Sequence, residues 1–193
     1  MDYISYQNVR DESWKTLLKT GVNSLPIDLH SVCFNLGIHL YTYDYGAEKY
    51  FSHIKNRKDL AFTIKISDEW CIFYNPNIYP YSRVRFAIAH EVGHIINKHH
   101  YRHDFFTSNL KYEHQAKKFA IRLLAPAIVL HECNMLDPDK ISLHCDISYR
   151  AAEIRSKRIT QLENENKFNI SKLEEKVGKQ FRPYIDRYKS RQW

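Results

Sequence analysis

The chain has 193 residues, of which 44% are hydrophobic and 26% are charged, a composition typical of a soluble globular protein. This length predicts one domain, or one domain with an appendage, and is enough to bury a sizeable core. The sequence has no apolar run of about 18 residues and no signal-peptide pattern at its N-terminus. We therefore expect a cytoplasmic protein without a membrane partner.

The formal net charge of +7 is unevenly distributed. The segment from Arg150 to Trp193 holds 12 Lys and Arg against 6 Asp and Glu, whereas the preceding part is close to neutral. This basic segment could serve an acidic partner, nucleic acid, or solubility alone.

The four cysteines lie far apart in the sequence and form no C-x-x-C pair: Cys33, Cys71, Cys133 and Cys145. This spacing indicates neither a disulfide framework nor a cysteine zinc site. We expect buried thiols.

The first forty residues predict two helices and a strand. A helix over Val9–Thr20 is stopped by Gly21. Pro26 lies near the start of a second helix, which Gly37 ends. The alternating, β-rich run Ile38–Tyr43 then predicts a strand.

The next part predicts a β-hairpin. Residues 45–58 are polar and ambiguous, but Leu60–Ser67 and Glu69–Asn75 are strand-like and meet at a tight Ser-Asp turn. We interpret Glu69–Asn75, the EWCIFYN run, as an edge strand. An edge strand could hold an extended substrate by strand addition.

The run Arg83–Asn97 predicts a helix that is apolar almost all round and carries the H-E-x-x-H spacing. Residues four apart lie on one helix face, so His90 and His94 can bring two imidazoles to one metal ion. Glu91 lies one residue away. This pattern is the zinc-peptidase signature, in which the Glu takes a proton from the metal's water. The alternative is a chance match in a chain with 11 His.

A polar, His-rich connection follows the helix Arg83–Asn97, which we call the metal helix. Its histidines His99, His100 and His103 are either additional metal ligands or solvated loop residues, and the second interpretation is the commoner one. Because they lie close to the motif in sequence, both interpretations stay open at this point.

A third helix over Lys111–Pro126 has an apolar stripe at helical spacing. Glu113 stands one turn before Ala116, at the start of this stripe. A buried carboxylate needs a cation, and the two-His site lacks a third ligand, so we predict Glu113 as that ligand. The alternative is an exposed carboxylate favoured by the helix dipole.

Residues 137–159 predict two short helices around an Asp-Ile-Ser turn, with Ser148 capping the second. The outline is compatible with a helix-turn-helix, although packed helix pairs are far commoner than DNA readers. From Gln161 onward the chain is charged and predicted to be helical. Its amphipathicity is weak, which predicts a peripheral or mobile tail.

The runs RFAIAHEVGH (Arg85–His94) and EHQAKKFAIRLLAP (Glu113–Pro126) together resemble the ImmA/IrrE family of metallo-endopeptidases. Members show R-F-x-x-A-H-E-x-G-H followed by E-x-x-A-N-x-F-A-x-x-L-L-M-P, and the resemblance covers roughly residues 24–160. It implies an α+β fold: a small zincin-like domain with a three-stranded antiparallel-type sheet beside the active-site helices. The expected organisation is a metallopeptidase domain (1–130), a helix-turn-helix-like subdomain (131–160) and a basic helical tail (161–193).

The resemblance also implies a function. The family cleaves a cognate helix-turn-helix repressor, which lifts repression of mobile-element or stress genes. His90, His94 and Glu113 match the ligands of one Zn²⁺ per chain, and Glu91 matches the catalytic base. A second oxyanion donor is needed besides zinc, and the candidates near enough in sequence are Tyr101, His103 and Tyr112.

The sequence departs from the family pattern in three places. Ala87 replaces a frequent Thr and Ala125 a frequent Met, both as packing changes. Lys117 occupies the usual Asn or Asp position, whose side chain in related zincins can accept a hydrogen bond from a ligand imidazole. Lysine cannot accept one, and such losses typically cost about 10–100-fold in affinity or activity.

Two rival functions follow from these features. One is a catalytically weak, zinc-stabilised protein that binds a repressor. The other is a DNA-binding regulator that uses the helix after Ser148 together with the basic tail.

Overall fold

The computed structural model describes residues 3–101 and 110–191 of the chain, in which helices pack around a three-stranded sheet. The elements up to the metal helix are α1 (Tyr3–Thr20), α2 (Leu29–Leu36), β1 (Ile38–Thr42), α3 (Tyr43–Lys49), β2 (Ala61–Ile66), β3 (Glu69–Tyr74) and α4 (Tyr81–Ile96). The later helices are α5 (Leu110–Leu124), α6 (Ala127–Glu132), α7 (Pro138–Cys145), α8 (Tyr149–Asn164), α9 (Lys172–Gln180) and α10 (Arg182–Ser190). Short 3-10 turns cover Ser52–Asn56 and His99–Tyr101.

The helix ends follow the signals in the sequence. Gly21 and Gly37 take left-handed φ angles of 69° and 71° after α1 and α2, a conformation that favours glycine. The Asp28 side chain accepts from the His30 backbone N–H at the start of α2. Ser148 does the same for Ala151 at the start of α8, as predicted. The main difference is that α1 begins at Tyr3 rather than at Val9.

The predicted hairpin is confirmed. Its turn residues Ser67 and Asp68 have φ angles of 49° and 66°, as a two-residue type I′ turn requires, and β2 pairs antiparallel with β3. β1 pairs with the other side of β3 in parallel, with Ile38 opposite Trp70. The α+β class is therefore confirmed, and the sheet is mixed rather than purely antiparallel.

The interpretation of Glu69–Asn75 as an edge strand is wrong. The strand order is β1-β3-β2, so β3 is the central strand and both of its hydrogen-bonding edges are occupied. Cys71, Ile72 and Phe73 are all buried, the near-continuous apolar run that a strand covered on both faces needs. The strand at the edge beside α4 is β2.

Two hydrophobic clusters lie on the two faces of the sheet. Ile72 belongs to the main core, which it shares with the helices. Phe73 belongs to a smaller cluster with Tyr43, Ile54 and Cys71. The ambiguous stretch 45–58 thus forms α3 and a 3-10 turn that cover the second face.

The C-terminal helices form part of the main core. Val177, Phe181 and Ile185 are fully buried within it. The Gln180 amide donates hydrogen bonds to the backbone carbonyls of Leu17, at 2.8 Å, and Val22, at 2.6 Å. The segment is helical as predicted, but the prediction that it is peripheral is wrong. The domain boundaries expected at residues 130 and 160 stay a prediction.

Two other expectations concern cysteines and membranes. All four cysteines are free and buried, as predicted. Within residues 3–101 and 110–191, no helix combines the length and the apolar character needed to cross a bilayer.

Candidate metal centre

The site is built where α4 packs against α5, and Gly93 permits the close approach. A Cβ atom at this position would lie 3.2 Å from the backbone of Ala116 and 3.1 Å from the Phe119 ring. A larger residue would therefore push the helices apart. The approach brings the first turn of α5, with Glu113, against the face of α4 that carries both motif histidines.

The three residues predicted as metal ligands come together. The Nε2 atoms of His90 and His94 lie 3.0 Å apart, and each lies 3.2 Å from a carboxylate oxygen of Glu113. Ligand atoms of a tetrahedral zinc ion with bonds of about 2.0–2.1 Å are separated by roughly 3.3 Å. Two imidazoles and a carboxylate at these separations fit one metal ion. His94 is buried, whereas the Glu113 side chain is 46% exposed, so the cluster is open to solvent on the Glu113 side.

Both histidines are held in the form that binds metals. Burial lowers the pKa of His94 to about 3, and the neighbouring His90, His99 and His100 act in the same direction. Burial also lowers the pKa of His90, opposed by Glu113 and assisted by Lys117. Neutral imidazoles at pH 7 have a free lone pair for coordination.

Glu91 lies next to this cluster and is held by the sheet. Its Oε2 atom accepts a hydrogen bond of 2.6 Å from the Thr63 hydroxyl on β2. Burial raises the pKa of Glu91 to about 7, and the Thr63 hydrogen bond opposes the increase. A carboxylate that titrates near neutral pH suits a general base. Thr63 was not found from the sequence, because it lies 28 residues upstream and belongs to no motif.

His99 holds the other side of the His94 ring. It is fully buried, and its Nδ1 lies 3.0 Å from Nδ1 of His94, while its Nε2 lies 2.9 Å from the Gln115 side-chain oxygen on α5. The solvated-loop interpretation is therefore wrong for His99. Neighbours of this kind fix the orientation of a ligand imidazole. His100 is half-buried and its ring lies 4.8 Å from that of Trp70.

The structure does not single out one of the candidate oxyanion donors. Tyr112 is buried and its ring stacks on His99 at 4.8 Å between centroids. Tyr101 ends the 3-10 turn after α4, and His103 lies outside the described residues. The assignment of an oxyanion donor to Tyr101, His103 or Tyr112 stays a prediction.

The structure shows which ligand is affected by Lys117, the residue that stands where the family has Asn or Asp. Lys117 is exposed on α5, yet its charge acts on the pKa of His90. His90 Nδ1 is buried and meets no hydrogen-bond partner among the described residues. The nitrogen without a described acceptor is therefore on the histidine whose pKa Lys117 lowers.

A comparison with protein-family models matches residues 33–157 to the IrrE N-terminal-like domain of peptidase family M78. The chain belongs to this metallopeptidase family. The match contains α4 and α5 whole, with His90, Glu91, His94 and Glu113. No curated protein matches the chain.

In this IrrE-like domain the Arg of the R-F-x-x-A-H-E run anchors the metal helix. Arg85 is buried, and its guanidinium donates to the Ile27 carbonyl at 2.8 Å. It also lies 3.1 Å from the carboxylate of Asp146, in the turn between α7 and α8. The helix pair after residue 137 is thereby tied directly to the helix that bears the motif.

Proposed function

We propose that this protein is a zinc-dependent endopeptidase that cleaves a cognate helix-turn-helix repressor in the cytoplasm and so lifts repression of mobile-element or stress genes. The observation that carries the proposal is the convergence of His90, His94 and Glu113 beside a half-buried Glu91. Membership of the IrrE-like peptidase family supports the same chemistry.

The proposed metal is zinc, held by His90, His94 and Glu113. Three protein ligands leave one coordination position for the reaction, as in catalytic zinc sites. Zinc bound there would make a water molecule acidic and polarise the peptide carbonyl.

Glu91 is the proposed base and later the acid. Its carboxylate accepts the proton of the attacking water and passes it to the leaving amine. The Thr63 hydroxyl holds one carboxylate oxygen, so Glu91 is oriented before the substrate binds. An oriented base avoids the entropic cost of ordering it during the reaction.

The substrate strand is proposed to lie along β2. This strand borders the sheet and carries Thr63, which touches Glu91. An extended peptide can add to such an edge through backbone hydrogen bonds. The repressor segment would then run past the metal helix.

The test is cleavage of the repressor encoded beside the gene, with metal content measured on the same preparations. Wild type should contain one zinc per chain and cut the repressor. Glu91→Gln should retain zinc and the fold but lose cleavage, because an amide cannot accept the proton. Glu113→Gln should instead bind zinc more weakly. Metal-free wild type after purification without chelators, or cleavage by the Glu91→Gln variant, would refute the proposal.

One observation favours the weaker alternative, a zinc-stabilised repressor-binding protein. The Nδ1 of His90, which has no hydrogen-bond partner within residues 3–101 and 110–191, is consistent with a loosely oriented ligand and slow turnover. In this case wild type would bind zinc and the repressor without cutting it.

The DNA-binding alternative loses support from α8. Of the cations on this helix, Arg150 and Lys157 are exposed, whereas Arg155 is buried and Arg158 is half-buried, so only two of the four are open to a duplex. Tight, salt-sensitive duplex binding would restore this alternative.

A further inference from the structure

β1 forms one border of the sheet, and its outer side is open. The strand order is β1-β3-β2, so β1 pairs with β3 alone. Within residues 3–101 and 110–191, no turn, loop or cap donates a backbone hydrogen bond to His39, Leu40 or Tyr41, or accepts one from them. Every second residue of a strand directs its N–H and C=O groups away from a given neighbour. These outward groups form a row on which another strand can pair.

The sequence of β1 contains none of the residues that usually protect an open edge. Its five residues, IHLYT, include no Lys, Arg, Asp, Glu or Pro, and five is an ordinary length for a strand. The other border of the sheet differs, because β2 carries Lys65 and contacts α4 through Thr63. A further strand that approaches β1 therefore meets no charged side chain on the strand itself.

Phe34 exposes apolar surface beside this edge. It lies in the last turn of α2, and 83% of it is exposed. An open groove of about 450 Å³ runs between α2 and β1, lined by His30, Ser31, Cys33, Phe34, Ile38, His39, Leu40 and Tyr41. A single exposed apolar residue is common on protein surfaces. Here the residue borders both a groove and an open strand edge, which together mark an interaction surface.

The charge distribution favours a second copy of this chain as the partner. The groove lining contains none of the 29 Lys and Arg or the 22 Asp and Glu of the chain. Two copies that each carry a net charge of +7 repel one another, and least where they meet through an uncharged surface. A highly charged partner would find no opposite charge in this lining.

We propose that two copies of this chain associate through β1, which pairs antiparallel with β1 of the second copy across a twofold axis. The two three-stranded sheets then form one continuous sheet, and each Phe34 is covered by the groove of the other copy. A twofold arrangement is self-complementary, because the same residues serve both sides. The groove has eight lining residues, whereas a standard interface has about 20–30 residues a side. We therefore expect a weak dimer, with a Kd on the order of 10–100 μM.

The experiment is sedimentation equilibrium of the full chain over a concentration range of about 1–300 μM, which brackets the expected Kd. The mean mass should rise with concentration from 23.1 kDa towards twice this value. Hydrogen–deuterium exchange at both ends of the range tests the strand pairing. Amides of β1 should exchange more slowly at high concentration, because new hydrogen bonds protect them, whereas amides of β2 should exchange equally at both.

Two variants make the test specific. Phe34→Glu should weaken the dimer about tenfold or more, because each contact would then bury a carboxylate without an opposite charge. Phe34→Ser serves in its place if Phe34→Glu fails to fold. Tyr79→Glu is the matched control, since Tyr79 is 89% exposed and lies in the loop before α4. This control should dimerise like wild type.

Three results would overturn the proposal: a wild type that stays monomeric over the whole range, equal dimerisation of the Phe34 and Tyr79 variants, or a dimer whose β1 amides exchange as fast as in the monomer. A monomeric chain whose β1 amides become protected only when the neighbouring repressor is added would assign the edge to a strand of that partner, and would also overturn it. None of these measurements depends on peptidase activity.

Discussion

Thr63 is the residue that connects the sheet to the proposed base. Replacing it by Val keeps the shape but removes the donor to Glu91. A hydrogen bond to a charged group is worth about 1.5–3 kcal/mol, so we expect kcat for repressor cleavage to fall by roughly 10- to 100-fold. Zinc content and KM should stay near wild type, because Thr63 touches none of the predicted ligands.

Thr63→Ser provides the matched control, because it retains the hydroxyl and should recover most of the activity. A Val variant with unchanged kcat would mean that Glu91 is oriented by something else.

Lys117 is the second residue with a measurable role. Lys117→Asn should offer an acceptor to the Nδ1 of His90, which has none in the part of the chain that the structure describes. The usual effect of such neighbours predicts a gain of about tenfold in zinc affinity, measured by competition with a chelator. Lys117→Ala removes the same charge without adding an acceptor, so it isolates the electrostatic part. If the Asn and Ala variants have the same zinc affinity, an acceptor at this position has no role in this chain.

At the residue scale, the sequence predicted those residues of the site that a local sequence pattern identifies. His90 and His94 share a helix face by their spacing, and Glu113 was predicted beside them from its place at the start of an apolar stripe, although its side chain is half-exposed. Thr63 and His99 could not be found in this way. Their contacts arise from how a strand and a 3-10 turn dock on α4, which no local pattern encodes.

At the scale of elements, the contact between α4 and α5 depends on Gly93. Gly93→Ala gains about 1 kcal/mol of helix propensity, but overpacking against Ala116 and Phe119 costs about 1–3 kcal/mol. We expect a lower melting temperature and weaker zinc binding, since Glu113 moves with α5 relative to the two histidines.

Gly178→Ala in α9 is the matched control for this change. Its new methyl group would meet the flexible end of Glu132 rather than a helix backbone. Zinc affinity should be unchanged in this variant. Equal losses of zinc binding in both variants would show that the close approach at Gly93 is unimportant for the site.

The element boundaries were predictable because caps and turn residues act locally, as Gly21, Gly37 and Ser148 do. The position of β3 in the sheet was not predictable from such signals. Strand order is decided by long-range pairing, and β1 pairs with β3 although α3 and β2 lie between them in the sequence. The continuous apolar run in the sequence of β3 was a hint of its central position, since edge strands are seldom covered on both faces.

At the scale of the whole molecule, Gln180 joins the two ends of the chain. Gln180→Ala leaves the carbonyls of Leu17 and Val22 without this donor, at a cost of about 1–3 kcal/mol. For a protein of this size we expect a fall in melting temperature of about 2–4 °C per kcal/mol. Lys179→Ala removes only an exposed ion pair with Glu175 and should change the melting temperature little. A Gln180→Ala variant as stable as Lys179→Ala would contradict this role.

The packing of the C-terminal helices was missed because charged residues dominate their composition. Val177, Phe181 and Ile185 recur every four residues, which is a helical stripe, but it crosses the junction between α9 and α10. A window confined to either helix contains too little of it to be recognised.

The contact between Gln180 and Leu17 also sets an order of events during synthesis. The two residues are separated by 163 positions, and ribosomes add about 5–20 residues per second. The metal motif is therefore translated many seconds before the C-terminal helices that complete the packing around α1. We expect nascent chains stalled before residue 172 to be readily digested by an added protease, and full-length chains to resist it. A stalled chain as resistant as the released protein would show that the fold closes without its last two helices. The proposed peptidase would thus acquire its stable form only after α9 and α10 have left the ribosome.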